Sequence, residues 1–132
     1  MLALTKKTDY ALIALTHLAR VGDGPTSARH IAEQYSVPLP LLMNVLKRLG
    51  RHGMVLSVRG AKGGYELARA PEQITIGQIL RALDGDILPV QCVGDEGKEA
   101  CVRTNECGAR TVWQAVHDQL LATLDGMVLS DL

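Results

Sequence analysis

Residues 27–68 constrain this chain more than any other stretch. Ser27 can cap a short helix over about Ala28–Tyr35. Ser36-Val37-Pro38 then makes a turn. Pro40 suits the first position of a second helix, because its missing N–H has no intrahelical partner there. That helix runs to about His52, where Gly53 closes it. Leu42, Val45, Leu46 and Leu49 form its apolar stripe, and Lys47, Arg48, Arg51 and His52 gather in its last turns. Two short helices joined by a tight turn, the second ending in basic residues, read as a helix-turn-helix. Met54–Val58 is strand-like, Arg59–Gly64 is a basic glycine-rich turn, and Tyr65–Ala68 alternates like a returning strand. Taken alone, this hairpin reads as a surface feature with solvated charges. Following such a helix pair, it reads as a wing over about residues 54–68, with Arg59 and Lys62 at its tip. Glycines let such a tip enter a groove while its cations meet phosphates or a narrow minor groove.

The flanks complete the outline. Ala11, Ala14, Leu15 and Leu18 recur at helical spacing within about Thr5–Arg20, and Gly22-Asp23-Gly24-Pro25 ends that helix. Thr75 and Gln78 have capping-box spacing, which opens a helix over about Ile76–Leu83. Asp84–Cys107 is rich in Gly, Asp and Glu and has little periodicity; long loops of this kind are usually functional or disordered. A last helix over about Ala109–Met127 carries Val112, Trp113, Val116, Leu120 and Leu124 as an apolar stripe. The stripe could pack on the first helix, but a two-fold dimer interface suits a protein that reads two half-sites. The expected fold is mainly α with a small β-hairpin wing: a winged helix-turn-helix plus a long C-terminal dimerisation helix. The expected division is a DNA-binding domain over 1–84, a cysteine-containing loop over 85–108, and a dimerisation helix and tail over 109–132.

Composition sets the compartment and the partners. A chain of 132 residues, 47% hydrophobic and 21% charged, can build a core of its own. Aromatics are 3% and Phe is absent, so that core is aliphatic. No apolar run reaches membrane-spanning length. The first residues place Lys6, Lys7, Asp9 and His17 among the apolar ones and lack a small-residue cleavage site, so they do not read as a secretory signal. Three cysteines do not make an even disulfide framework, and the expected location is the cytoplasm. The net charge of zero hides a split. Residues 1–70 hold ten Lys/Arg against four Asp/Glu, and residues 71–132 hold four against ten. The basic half could meet nucleic acid; the acidic half would repel it and more naturally senses or assembles.

All three cysteines, Cys92, Cys101 and Cys107, lie in the acidic loop with spacing C-x8-C-x5-C. Structural free cysteines usually sit among apolar residues, and these sit among Gly94, Asp95, Glu96, Lys98, Glu99, Asn105 and Glu106. That setting suggests a ligand set. Zinc sites favour closer pairs and four ligands, and thiolates also suit iron–sulfur clusters. Redox-sensing or unligated thiols stay open as readings.

The chain resembles the IscR/NsrR-type (Rrf-type) winged-helix regulators. The resemblance rests on Leu4-Thr5-Lys6-x-x-Asp9-Tyr10-Ala11, Val58-Arg59-Gly60-x-x-Gly63-Gly64-Tyr65, Ile76-Gly77-x-Ile79, the three cysteines, and Trp113. It covers nearly the whole length. It implies a homodimer with crossed C-terminal helices and an iron–sulfur cluster held by Cys92, Cys101 and Cys107. The IscR-like subtype completes a 2Fe–2S site with a His three residues after the last cysteine; that position is Arg110 here. The NsrR-like subtype completes a 4Fe–4S site with an Asp early in the first helix of the other subunit; Asp9 matches it. Asp9 could equally complement the helix macrodipole, and His17, His30, His52 and His117 read as structural. The resemblance therefore favours 4Fe–4S, with 2Fe–2S as the alternative, and nitric oxide, oxygen or cluster supply as the signal.

The partner is a double-stranded operator. Lys6, Lys7, Arg29, Lys47, Arg48, Arg51 and Lys62 are the candidate phosphate contacts. Asn44 can pair bidentately with adenine and Met43 can touch a thymine methyl. By resemblance, Arg59 enters the minor groove. Two other readings remain: a cluster-free regulator controlled by thiol oxidation or a partner protein, and a metal-carrying interaction module that does not bind DNA. No nucleophile–base pair, P-loop or GxGxxG is present to suggest an enzyme.

Overall fold

The computed structural model describes residues 5–90, 92–93 and 106–132. Cys101 and most of the 85–108 loop lie outside the described residues. The elements in order are α1 (Lys6–Val21), α2 (Ala28–Tyr35), α3 (Leu39–Arg51), β1 (Val55–Val58), β2 (Gly64–Leu67), α4 (Ile76–Asp84) and α5 (Gly108–Gly126). Single 3-10 turns over Pro71–Gln73 and Leu129–Asp131 flank α4 and follow α5. The architecture is thus helical with one antiparallel hairpin, Val55 opposite Leu67 and Val58 opposite Gly64.

The buried core is aliphatic: the chain has no Phe, and Tyr10, Tyr35 and Tyr65 pack against that core only partly buried. Leu15 of α1, Ile31 of α2, Leu42, Leu46 and Leu49 of α3, and Ile79 of α4 are fully buried together. On α3 these positions recur at three- and four-residue spacing, as Ala11, Ala14, Leu15 and Leu18 do on α1, so one face of each helix turns inward. The helix-turn-helix turn is set by Ser36, which takes a left-handed conformation (φ 55°) and lets Val37 drop into the core. The second helix of the pair starts one residue earlier than its proline suggests, so Pro40 stands at the second helical position. That position costs nothing, since the first four N–H groups of a helix lack intrahelical partners in any case.

The wing is anchored at its base. Thr26 donates its N–H to the Tyr65 carbonyl at 2.9 Å and accepts from the Tyr65 N–H at 2.7 Å, so a third short extended segment pairs with the hairpin. Gly64 makes this possible. Its φ is +153°, and a Cβ there would lie 2.3 Å from the Thr26 carbonyl oxygen. Arg59, Gly60, Ala61 and Lys62 stay exposed at the tip.

The C-terminus returns to the body. Leu129 is 1% exposed, and its N–H donates to the Ile74 carbonyl at 2.8 Å, while Ile76 donates to the Met127 carbonyl at 2.9 Å. Thr75 at this junction carries the full capping box: its hydroxyl accepts from the Gln78 N–H at 3.1 Å, and its own N–H donates to Gln78 Oε1 at 3.2 Å. Thr75→Ala removes one half of it and is expected to lower stability by about 1 kcal/mol, measured by urea denaturation.

His17 sits at the α1–α2 contact, 7% exposed. Its Nδ1 is 2.9 Å from the Tyr35 hydroxyl, and its ring meets the Tyr35 ring edge-on. Burial, then the nearby His30 and Arg20, push its pKa below the ordinary 6.5. The folded state therefore prefers neutral His17, and the unfolded state binds the proton more readily. Stability is present above about pH 6.5 and is lost as pH falls through that value toward the depressed folded pKa. His17→Gln is expected to flatten this acid-side loss in thermal melts taken between neutral and mildly acidic pH.

Candidate nucleic-acid interface and thiol site

The candidate recognition surface lies on the outer face of α3. Leu42, Val45, Leu46 and Leu49 point inward, which leaves Pro40, Met43, Asn44, Lys47 and Arg51 exposed. A shallow groove runs between the start of α1 and this face. It is lined by Lys7, Leu41, Asn44, Val45, Lys47, Arg48 and Arg51. Four cations in one groove, with the N-terminal turn of α3 at its edge, present the charge and shape that a DNA backbone and major groove require. Leu41 is the member the sequence reading passed over; it is 44% exposed beside Asn44. Its alternation with buried Leu42 was the available signal. Lys6 and Arg29 are exposed on α1 and α2, and Arg59 and Lys62 at the wing tip.

Arg48 differs from its neighbours. Its Nη1 donates to the carbonyl of Leu83 in the last turn of α4, at 2.5 Å. The next residue, Asp84, accepts hydrogen bonds from the hydroxyls of Thr5 (2.8 Å) and of Thr8, which is fully buried. This places a carboxylate against the N-terminal turn of α1. Lys6 and Lys7 by themselves are unfavourable at that positive helix end, and Asp84 offsets them.

The thiol site begins where α4 stops. Cys92 and Cys107 are both half-buried and carry free thiols. Cys107 is the N-cap residue of α5. Arg110, one turn further on, donates through Nε to the Cys92 carbonyl at 3.4 Å, which brings the first and last cysteines to the same end of α5. Two soft thiol donors held at one helix end fit thiolate ligation of iron. Asp9 stands exposed on α1 and does not join them: among the described residues no three His, Cys, Asp or Glu side chains converge on a metal-sized site. Cys101 lies outside the described residues.

The α5 stripe divides between two surroundings. Leu120 and Leu124 are half-buried against the core. Val112, Trp113 and Val116 are 60%, 41% and 44% exposed. An open apolar groove on the same helix is lined by Ala115, Val116, Gln119, Leu120 and Thr123. Arg81 of α4 holds α5 through a two-point contact with Asp125, at 2.9 and 2.7 Å. That hydrogen bonding keeps the Asp125 carboxyl below its usual range and raises Arg81. No helix among the described residues is long and apolar enough to cross a membrane.

Comparison with known proteins agrees with this geometry. A family model described as "Rrf2: Iron-dependent Transcriptional regulator" matches residues 4–132. The HTH-type transcriptional regulator NsrR of Bacillus subtilis is 40% identical over 98% of this chain and 88% of its own length. The solved structure of CymR, described as the global cysteine regulator of B. subtilis, superposes with a TM-score of 0.85 at 34% identity, covering 99% of this chain and 95% of that one. That of T. potens IscR superposes with a TM-score of 0.78 at 33% identity, covering 98% and 85%. These relatives are named as regulators, not as enzymes. With its basic recognition helix, glycine-tipped wing and match to the family model over nearly its whole length, the chain belongs to the Rrf2 family of winged-helix, DNA-binding transcriptional regulators.

Proposed function

We propose that this regulator binds its operator as a homodimer, and that an iron–sulfur cluster held by Cys92, Cys101 and Cys107 sets its affinity. The observation that carries the reading is the placement of free Cys92 and Cys107 at one end of α5, tied by Arg110. Arg110 occupies the position of the IscR-like histidine and bonds a backbone carbonyl; it cannot serve as a neutral ligand, because a guanidinium stays protonated. By its resemblance to the NsrR-like subtype, the fourth ligand is taken to be the partner subunit's Asp9 and the cluster the 4Fe–4S type. Bound there, the cluster supplies reactivity toward nitric oxide or oxygen. The chain's own contribution is to hold the thiolates and to connect the loop they anchor to the end of α4. Dimerisation is assigned to Val112, Trp113, Val116, Leu120 and Leu124, the stripe that α5 leaves incompletely covered.

Iron and acid-labile sulfide per subunit, measured on anaerobically purified protein, test the cluster. Four of each in the wild type, with loss in Asp9→Ala, is the expected result. Two of each, indifferent to Asp9, would assign a 2Fe–2S site with another fourth ligand. No iron after reconstitution would overturn the cluster and favour a second reading, control through thiol oxidation or a partner protein. That reading draws on the free thiols and on the likeness to CymR.

On the DNA side, Arg59→Ala is expected to weaken specific operator binding by ~1–3 kcal/mol, read by fluorescence anisotropy. An unchanged affinity would remove the wing tip from the interface.

A further inference from the structure

We infer that Arg48 is not a phosphate contact but a positioning residue, and that with Arg81 it makes α4 a strut between the recognition helix and α5. The inference rests on the proposed two-half-site dimer, because the strut matters only if α5 joins two copies.

The bonds lie within one turn of helix. Leu83 is in the last turn of α4, where carbonyls lack intrahelical partners. Arg48 of α3 satisfies the Leu83 carbonyl and sets a positive charge at the negative end of the α4 dipole. Two residues earlier, Arg81 grips Asp125 of α5 with both of its terminal nitrogens, a geometry that fixes direction as well as distance. Gly77 leaves room for this carboxylate: a Cβ there would lie 2.0 Å from Asp125 Oδ1. Recognition helix, α4 and α5 are thereby linked by two arginines through residues 81–83. The cysteine-bearing loop leaves α4 immediately afterwards, at Gly85. In a dimer joined through α5, this linkage sets the separation of the two recognition helices, and so the half-site spacing that the protein accepts.

Lys47 supplies the contrast. It neighbours Arg48 in sequence, is exposed and lines the same groove. Arg48 is exposed in that groove too, so the salt slope separates the two: a phosphate contact contributes ~0.9 to the slope of log affinity against log salt, whereas a hydrogen bond to the chain's own Leu83 carbonyl releases no DNA counterion.

The test uses the full-length chain and a duplex selected by the wild type from random sequence, together with versions of it having one base pair more or fewer between half-sites. Affinity is measured across a salt series for wild type, Lys47→Gln, Arg48→Gln and Asp125→Asn. Lys47→Gln is expected to reduce the salt slope by ~1 per subunit and to weaken every duplex alike. Arg48→Gln is expected to keep the wild-type slope, to weaken the selected duplex about tenfold, and to lose discrimination between spacings. A tenfold loss corresponds to ~1.4 kcal/mol. Asp125→Asn, whose side chain lies on α5, is expected to relax spacing in the same way, and it guards against a local folding defect in Arg48→Gln. An Arg48→Gln protein with a reduced salt slope and intact spacing preference would overturn the inference and return Arg48 to the phosphate contacts. Unchanged affinity and spacing would overturn it as well. A wild-type chain indifferent to spacing would overturn the two-half-site reading itself, a failure visible before any variant is made.

Discussion

In the proposed dimer joined through α5, Val116→Glu is expected to give a monomer and to weaken operator binding by ~10²–10⁴-fold. Val116 is 44% exposed and borders an apolar groove with Ala115 and Leu120. In a two-fold interface each residue near the axis meets its own copy or close neighbours, so one substitution buries two carboxylates against apolar surface. An unpaired charge in such a place is strongly unfavourable. The loss in DNA binding follows because a monomer engages one half-site, and the second no longer binds intramolecularly. Sedimentation and anisotropy measure the two effects together. A variant that stays dimeric would show that the interface lies elsewhere.

Leu46→Ala is expected to cost ~2–5 kcal/mol of stability. Leu46 is 0% exposed on the inner face of α3, the helix that packs against α1, α2 and α4. Truncation removes buried apolar contacts and leaves a cavity that an aliphatic core without Phe has few large side chains to fill. The same helix carries the recognition surface, so DNA affinity should fall with stability. Urea denaturation gives the number, and a cost below ~1 kcal/mol would mean that the α3 packing is not as described.

What the sequence disclosed and what it withheld divide along chain separation. Ser27 capping α2, the Thr75–Gln78 box and the Arg59–Gly64 tip are decided by residues a few positions apart, and all three stand where local chemistry puts them. The inward faces of α1 and α3 follow from periodicity in the same way. Arg48 looked like every other cation at the end of a basic helix, because nothing local marks a side chain that reaches a carbonyl 35 residues away. The carboxylate of Asp84 against Thr5 and Thr8 spans 79 and 76 residues and was equally hidden. Leu129 read as part of a tail, yet it is buried because Ile74 and Ile76 pair with residues beyond α5. Periodicity alone makes the α5 stripe one surface, whereas in the fold Leu120 and Leu124 meet the core and Val112, Trp113 and Val116 stay exposed. At the thiol site the cysteine positions are visible in the sequence, but the Arg110 bond to the Cys92 carbonyl joins residues 18 apart, which no local pattern marks.

In the proposed function, the cysteine segment controls the DNA-binding face. The most direct test is the affinity of anaerobically purified, iron-loaded protein for its selected duplex, before and after stoichiometric nitric oxide. The same titration is run on a variant with Cys92, Cys101 and Cys107 all replaced by serine. A coupling of ~1–3 kcal/mol, or roughly 5–150-fold in affinity, is expected in the wild type and none in the variant. Equal wild-type affinities before and after would contradict the account, since the loop and the recognition helix would then be energetically independent.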